Sequence, residues 1–263
     1  MQIAIPSYKR PQTLQNKTLR LLRKEGFEAK DITVFLASEE ERQAYQPFLM
    51  ADFSPALVVG RPGIHQQRAF IESYYPLGTR VLCLDDDVSA IKRLAVYDQP
   101  LPAIFARCFE IAAREGCKLW GIYPTSHGLC LKDQAIKGLT YIIGACYGFE
   151  ASEPFEYPRP FSEDYRRSVL AYLRDGGSLR FEGMGPVTRY FKEPGGLQEF
   201  RTAASQEAQM LEFKEEFPTL CSIRKKPEKM CDLVLKRIVT RKLIAPFSTA
   251  PADESNQASS GAV

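Results

Sequence analysis

The chain has 263 residues, of which 44% are hydrophobic and 25% are charged, and its formal net charge is +3. These values are typical of a globular protein with a hydrophobic core and exclude a largely disordered chain. The net charge is too small to identify a nucleic-acid partner by itself. The seven cysteines contain no C-x-x-C pair, which excludes a disulfide framework. No apolar run reaches the ~20 residues of a membrane span, so we expect a soluble, cytoplasmic protein with no membrane contact.

The first ninety residues alternate between short apolar strands and amphipathic helices. Strands are predicted at residues 3–5, 32–36, 57–59 and 81–84. Helices are predicted from a Thr13 cap to Gly26, from about Ser38, and over residues 64–75. This alternation predicts an α/β fold with a mostly parallel sheet flanked by helices. Ligands of such sheets bind beyond the carboxyl ends of the strands.

Two of these strand ends carry polar residues. Those after the first strand are Ser7, Tyr8, Lys9 and Arg10, and those after the fourth are Asp85, Asp86 and Asp87. Adjacent carboxylates repel one another unless a cation neutralises them. Mn²⁺ or Mg²⁺ would do so and would also bind a diphosphate, which predicts a nucleotide-sugar donor. We expect Asp87 to bind the metal directly, Asp85 to contact the metal or the ribose, and Asp86 to belong to the donor site. The alternative is a solvated acidic turn that caps a helix starting near Val88.

Further residues are predicted to contact the donor. Pro6 and Ser7 open the loop, Tyr8 can stack on a base, and Lys9 or Arg10 can meet phosphate. Arg68 is predicted on a helix with one side toward the core, where a charged side chain needs a partner. A diphosphate, the aspartates or a structural salt bridge would each provide one.

The second half is less regular. It has a predicted helix at residues 103–115, strands at 120–124 and 141–145, and a helix at 163–173. Glu163 and Asp164 open the last of these. Asp164 is our candidate general base for an acceptor hydroxyl, and Glu163 is the alternate. The competing interpretation is an ordinary acidic first turn behind a Ser162 cap.

Residues 222–242 hold eight basic and two acidic side chains. A nucleic-acid backbone would account for this excess, and so would a solvated helix after Pro227. We therefore divide the chain into a catalytic domain at 1–221, a basic helical C-terminal extension at 222–247 and a disordered tail at 248–263.

Several motifs, in register over about residues 2–201, are similar to those of the TET-associated glycosyltransferases. They are IPSYKRP at 5–11, LDDDV at 84–88, WGIYP at 120–124, YIIG at 141–144, EDY at 163–165, Arg180 after DGG at 175–177, and residues 190–198 with Gly195 and Gly196. The resemblance implies the GT-A fold, which is Rossmann-like with an irregular acceptor-side half. It also implies sugar transfer from a nucleotide-sugar to 5-hydroxymethylcytosine or 5-hydroxymethyluracil in double-stranded DNA, in a bacteriophage setting.

By this resemblance, Asp85 and Asp87 bind metal and donor, and Asp164 is the base. The shared motifs also place a group of residues on the acceptor side, namely Tyr123, Arg180, Lys192, Gly195 and Gly196. The alternatives are a GT-A enzyme acting on a polysaccharide, lipid or small molecule, and a binding module without turnover.

Overall fold

The computed structural model describes residues 1–159, 162–188, 203–226 and 229–247. The strands in these ranges are β1 Gln2–Pro6, β2 Ile32–Leu36, β3 Ala56–Val59, β4 Arg80–Leu84, β5 Ala90–Arg93, β6 Leu119–Ile122, β7 Gln134–Leu139, β8 Cys146–Glu150, β9 Ser178–Phe181, β10 Met184–Val187, β11 Cys221–Lys226, β12 Lys229–Leu235 and β13 Ile238–Ile244. The α-helices are α1 Pro11–Leu14, α2 Arg20–Lys24, α3 Glu39–Tyr45, α4 Ile64–Tyr74, α5 Leu101–Arg114, α6 Glu163–Asp175 and α7 Ala203–Glu216. A π-helical turn, Gln15–Leu19, joins α1 to α2.

Nine of the described strands form one sheet in the order β13-β7-β9-β6-β8-β4-β1-β2-β3. The half made of β3, β2, β1 and β4 is parallel, as the alternation of strands and helices predicts. In the other half, β8 runs antiparallel to both β4 and β6, and β9 runs parallel to β6. The carboxyl ends of β1, β4, β6 and β9 therefore lie along one edge of the sheet, called the carboxyl edge below.

Helices bury apolar residues against both faces of this sheet. On one face, Ile104 and Phe105 of α5 belong to the same buried cluster as Leu22 and Trp120. On the other face, Ile71 of α4 packs in a cluster with residues of β4, β8 and α6. Burial of such side chains is the main stabilising contribution, at roughly 1.5–3 kcal/mol for each. Among the described helices, none is long and apolar enough to cross a membrane.

Of two predicted helix starts in the first half, one differs from the structure and one is confirmed. The first helix begins at Pro11, so Thr13 lies inside its first turn and is not its cap. Proline suits this position because the first helical N–H groups have no partner within the helix. Ser38 does cap α3, because its side chain accepts a hydrogen bond from the Glu41 N–H at 3.3 Å.

The predicted strand at 141–145 is wrong, since these residues connect β7 to β8. Polar side chains replace the strand ladder there. The Ile142 N–H donates to Ser168 Oγ at 2.9 Å, and the Gly144 carbonyl accepts from Arg68 at 3.0 Å. The segment thus follows a path set by α4 and α6.

The helix predicted after Pro227 is also wrong, because β12 and β13 occupy that part of the chain. Leu233 and Leu235 are buried and alternate with partly exposed neighbours, which is the two-residue period of a strand. β13 pairs antiparallel with β7 and extends the main sheet. The last strand of the basic segment, β13, therefore forms one edge of the main sheet.

Candidate active site

The loop after β1 is fixed against the middle residue of the acidic triad. Ser7 Oγ donates to Asp86 Oδ2 at 2.6 Å, and Arg10 Nη1 lies 3.3 Å from Asp86 Oδ1. Tyr45 supports the same loop, since its hydroxyl lies 2.8 Å from Ser7 Oγ and accepts from the Arg10 N–H at 2.9 Å. Burial raises the pKa of Asp86 to about 7, against the opposing effects of Arg10 and Ser7. Both Asp86 oxygens are engaged by this loop, so the Asp86 carboxylate holds the loop in place.

The other loop residues have different surroundings. Pro6 is buried as the last residue of β1, whereas Tyr8 is half-buried at the carboxyl edge. Lys9 is exposed, and its Nζ lies 5.0 Å from the centroid of the Tyr8 ring. Tyr8 and Lys9 are therefore placed where a ligand at this edge can reach them.

Asp85 is paired with a buried arginine. Arg68 Nη2, on α4, donates to Asp85 Oδ1 at 2.6 Å and to the Gly144 carbonyl at 3.0 Å. Thr18 Oγ1 donates to the Asp85 carbonyl at 2.7 Å and accepts from the Val88 N–H at 3.0 Å. The sequence left a diphosphate, the aspartates or a structural salt bridge as partners of Arg68, and in the structure the partner is Asp85. A helix starting near Val88 is excluded, because the strand β5 follows the triad.

Asp85 and Asp87 are half-buried and flank the inward-facing Asp86. In the described part of the chain, no three His, Cys, Asp or Glu side chains gather into a metal site. Mg²⁺ and similar ions are often bound by one or two carboxylates, water and substrate phosphates. Asp85 and Asp87 fit that mode of binding and would be the residues that hold such a cation.

The first turn of α6 lies beside this ion pair. A methyl group added at Gly144 would lie 3.4 Å from Arg68 Nη2, 3.7 Å from Glu163 Oε1 and 3.9 Å from Asp164 Cβ. Three side chains thus converge on Gly144, namely Arg68, Glu163 and Asp164, and Arg68 in turn holds Asp85. Ser162 makes no capping hydrogen bond with its side chain, so it does not act as the predicted cap.

The two acidic residues of α6 differ in their environment. Asp164 is half-buried, its Oδ2 accepts from the Tyr141 hydroxyl, and its Oδ1 accepts from the Tyr165 N–H at 2.9 Å. Glu163 is buried, and its pKa is raised to about 7 by burial and by Asp164, against the effects of Arg68 and Arg167. Asp164 is therefore the more accessible carboxylate.

Arg167 was not identified from the sequence. Its guanidinium carbon lies 3.6 Å from the centroid of the Tyr147 ring, and that of Arg68 lies 5.3 Å from the same centroid. The two buried arginines thus share one aromatic ring beneath the site. Arg167 follows Glu163 by four residues, so both lie on one face of α6. That spacing is the sequence signal by which Arg167 could have been found.

Two of the residues predicted for the acceptor side lie close together, Tyr123 just after β6 and Arg180 on β9. The Arg180 guanidinium carbon is 5.3 Å from the centroid of the Tyr123 ring, Nη1 donates to the Tyr141 carbonyl at 3.3 Å, and Nη2 donates to Glu182 at 2.6 Å. Tyr141 links Arg180 to Asp164, because its carbonyl accepts from Arg180 and its hydroxyl donates to Asp164. The remaining acceptor-side candidates, Lys192, Gly195 and Gly196, lie outside the described residues.

In the described part of the basic segment, the positive side chains do not share one face. Arg237 and Lys242 lie along the same cavity as Arg180, whereas Arg241 pairs with Glu115 at 3.2 Å. The aromatic residues between β8 and α6 and on β8 itself are mostly part of the core: Tyr147, Phe149 and Tyr157 are buried, and Phe155 is half-buried.

No protein-family model and no curated protein sequence matches the chain. Solved structures do match it. A mannosyltransferase from Pyrobaculum calidifontis, in complex with GDP-Man and Mn²⁺, is 11% identical with a TM-score of 0.55, over 81% of this chain and 64% of that one. Glucosyl-3-phosphoglycerate synthase from Mycobacterium tuberculosis, in complex with Mn²⁺ and UDP-glucose, is 12% identical with a TM-score of 0.51, over 93% and 89%.

A structure of residues 1–349 of S. aureus TarS is 13% identical with a TM-score of 0.43, over 71% of this chain and 59% of that one. The chain thus spans less than two thirds of the TarS and mannosyltransferase structures. At these identities the similarity concerns the fold alone. The chain has the GT-A fold, as predicted.

Proposed function

We propose that the protein is a glycosyltransferase that uses a nucleotide-sugar donor and a divalent cation. The observation that carries the proposal is the convergence on Gly144 of Asp85, through Arg68, and of Asp164. This convergence supports the proposal because ligands of such sheets bind beyond the carboxyl ends of the strands, and Asp85 directly follows β4. The solved structures with Mn²⁺ and a GDP- or UDP-sugar support the choice of donor class.

The donor would lie over the loop after β1 and the triad. Asp85 and Asp87 would hold the cation, which when bound neutralises the diphosphate leaving group. Tyr8 offers a ring for the nucleotide base, and Arg68 orients Asp85. Asp86, with Ser7 and Arg10, fixes the geometry of the loop.

The acceptor hydroxyl would approach from the Asp164 side. Its oxygen forms a new bond to the anomeric carbon, the bond from that carbon to the diphosphate oxygen breaks, and the hydroxyl proton passes to the Asp164 carboxylate. The Tyr141 hydroxyl holds Asp164 in place. Glu163 is the alternate base, less favoured because it is buried.

For the acceptor we propose the hydroxymethyl group of 5-hydroxymethylcytosine or 5-hydroxymethyluracil in double-stranded DNA. The support is the sequence resemblance to the TET-associated glycosyltransferases. A base in a duplex has to be brought out of its stack or reached by deformation of the helix. Acceptors of another class, such as a polysaccharide, a lipid or a small molecule, would use the same donor site.

The test incubates the protein with Mn²⁺, a panel of UDP- and GDP-sugars, and duplex DNA containing either modified base. Mass spectrometry of the nucleosides then looks for the mass of one added sugar. We expect that gain with wild type and its loss in Asp87→Ala. Asp98→Ala, an exposed aspartate outside the site, is the matched control and should retain it.

Two negative results have different meanings. Donor hydrolysis without transfer to either DNA would support the transferase and reject the DNA acceptor. Neither hydrolysis nor binding of any donor, from folded protein with Mn²⁺, would reject the transferase.

A further inference from the structure

A cavity of about 270 Å³ is lined by residues of β7, β9 and β13 and of the loops next to them. It lies where β6, β7, β9 and β13 meet, and Tyr123, Gln134 and Ile136 form part of its wall. Its volume is close to the lower end of small-molecule sites, at ~300 Å³. It can therefore take a compact group rather than a whole polymer.

Positive charge dominates the described lining of this cavity. The cations are Lys132, Arg180, Arg237 and Lys242, and the carboxylate is that of Glu182. They come from three separate parts of the chain. Lys132 precedes β7, Arg180 lies on β9, and Arg237 and Lys242 lie just before and on β13. Folding thus assembles the charge in one place, which the basic segment alone does not do.

Glu182 does not neutralise the two lysines. Its carboxylate already accepts from Gln134 Nε2, from Arg180 Nη2 at 2.6 Å and from Arg237 Nη2 at 3.4 Å. Within the described residues, neither Lys132 nor Lys242 has a side-chain partner, and Arg180 Nε is buried without one. Buried polar groups are normally satisfied, so the unpartnered Arg180 Nε points to an anionic ligand in a cavity that also holds two exposed lysines.

We propose that this cavity binds a phosphate group of the acceptor. The proposal rests on the proposed transferase function, because it assigns the cavity to the acceptor. Lysine and arginine side chains arranged around a concave site are the usual partners of phosphate. Arg180 also donates to the Tyr141 carbonyl, and the Tyr141 hydroxyl donates to Asp164. A phosphate anchored here would therefore lie next to the side chains that handle the acceptor hydroxyl.

Two sources can supply such a phosphate: the backbone of a DNA acceptor or a small phosphorylated molecule. The test variant is Lys132→Ala/Lys242→Ala, in which both side chains are exposed, so folding should be kept. The matched control is Lys118→Ala/Lys236→Ala, which removes the same charge from exposed positions outside the cavity. Circular dichroism confirms that both variants fold.

Calorimetric titrations use inorganic phosphate, glycerol phosphate and a 5-hydroxymethylcytosine duplex. UDP and Mg²⁺ are present to fill the proposed donor site. We expect the cavity variant to bind phosphate or glycerol phosphate roughly tenfold or more weakly, with the control unchanged. A DNA source predicts, in addition, a duplex affinity whose salt slope falls by about two in the cavity variant. A small-molecule source predicts an unchanged duplex affinity.

Equal phosphate affinity in the two variants, or no saturable phosphate binding by wild type, would overturn the proposal. The proposed function is scored separately, by donor hydrolysis of wild type with Mn²⁺. Phosphate binding lost in the cavity variant, without any donor hydrolysis by wild type, leaves the phosphate site and removes the transferase. Donor hydrolysis by wild type, together with equal phosphate affinity in the two variants, supports the transferase and rejects the phosphate site.

Discussion

Arg68 Nη2 and Asp85 Oδ1 are 2.6 Å apart, in an ion pair that solvent reaches from one side only. The Arg68 side chain is 1% exposed, whereas that of Asp85 is 36% exposed. Arg68 is thus a buried cation that presents a carboxylate to the carboxyl edge. The same guanidinium group donates to the Gly144 carbonyl, which ties the aspartate to the segment that leads toward Asp164.

Removal of the Asp85 carboxylate should destabilise the fold as well as impair the site. Asp85→Ala leaves the buried Arg68 without its counter-charge, and we expect the free energy of unfolding to fall by about 3 kcal/mol. Asp52→Ala breaks an exposed pair with Arg23 and should cost less than about 1 kcal/mol. Urea unfolding of both variants without metal gives the comparison. Equal losses would show that the Arg68 pair contributes no more than a surface ion pair.

The Tyr141 hydroxyl should position the proposed base. Its hydrogen bond holds Asp164 Oδ2, so Tyr141→Phe should lower kcat by roughly tenfold, with donor affinity unchanged. Tyr165→Phe is the control, because that ring packs on Tyr141 with centroids 4.4 Å apart while its hydroxyl is not bonded to Asp164. Steady-state kinetics of both variants give the comparison. A fall of the same size in both would assign the effect to packing.

Substitutions of the two carboxylates of α6 should have different effects on kcat. Asp164→Asn removes the proposed proton acceptor, so kcat should fall by ~10²–10⁴-fold with little change in donor affinity. Glu163→Gln should have a smaller effect, because that side chain is buried. Steady-state kinetics and donor titration measure both quantities. A larger loss in Glu163→Gln would exchange the two roles.

Glu163 should make the stability depend on pH. Its pKa is about 7 in the folded protein, above its ordinary value of 4.5, mainly because it is buried. Between these two pH values the folded state binds more protons than the unfolded state, so the free energy of unfolding falls as pH rises. The contribution is on the order of 1–3 kcal/mol. Glu163→Gln should flatten this slope, whereas Glu153→Gln, at an exposed position, should not. Parallel slopes in urea unfolding across this range would contradict the assignment.

The centre of the sheet has no room for a side chain at Gly148. A methyl group there would lie 2.3 Å from the buried Trp120 ring. Gly148→Ala should lower the free energy of unfolding by about 1–3 kcal/mol. Gly128→Ala adds a methyl group with nothing within 4 Å and should change it by less than about 0.5 kcal/mol. Thermal unfolding of the pair distinguishes a steric clash from a general effect of losing glycine.

Much of the first half was determined by the sequence itself. The apolar runs and amphipathic periods of residues 2–84 indicate β1 to β4 and α3 to α4 nearly at their observed bounds. The alternation of strand and helix predicts the parallel half of the sheet and places Ser7 and Asp85 at one edge. These properties depend on neighbours a few residues apart, so a single sequence reveals them.

Only the tertiary structure decided which side chains meet at that edge. Asp86 turns inward to Ser7 and Arg10, and Arg68 selects Asp85, because burial and pairing depend on residues tens of positions away. For the same reason β13 joins the sheet beside β7, so that Lys242 and Arg180 line the same cavity. A basic run read along the chain shows its charge, whereas the long-range pairing of strands determines what that charge faces.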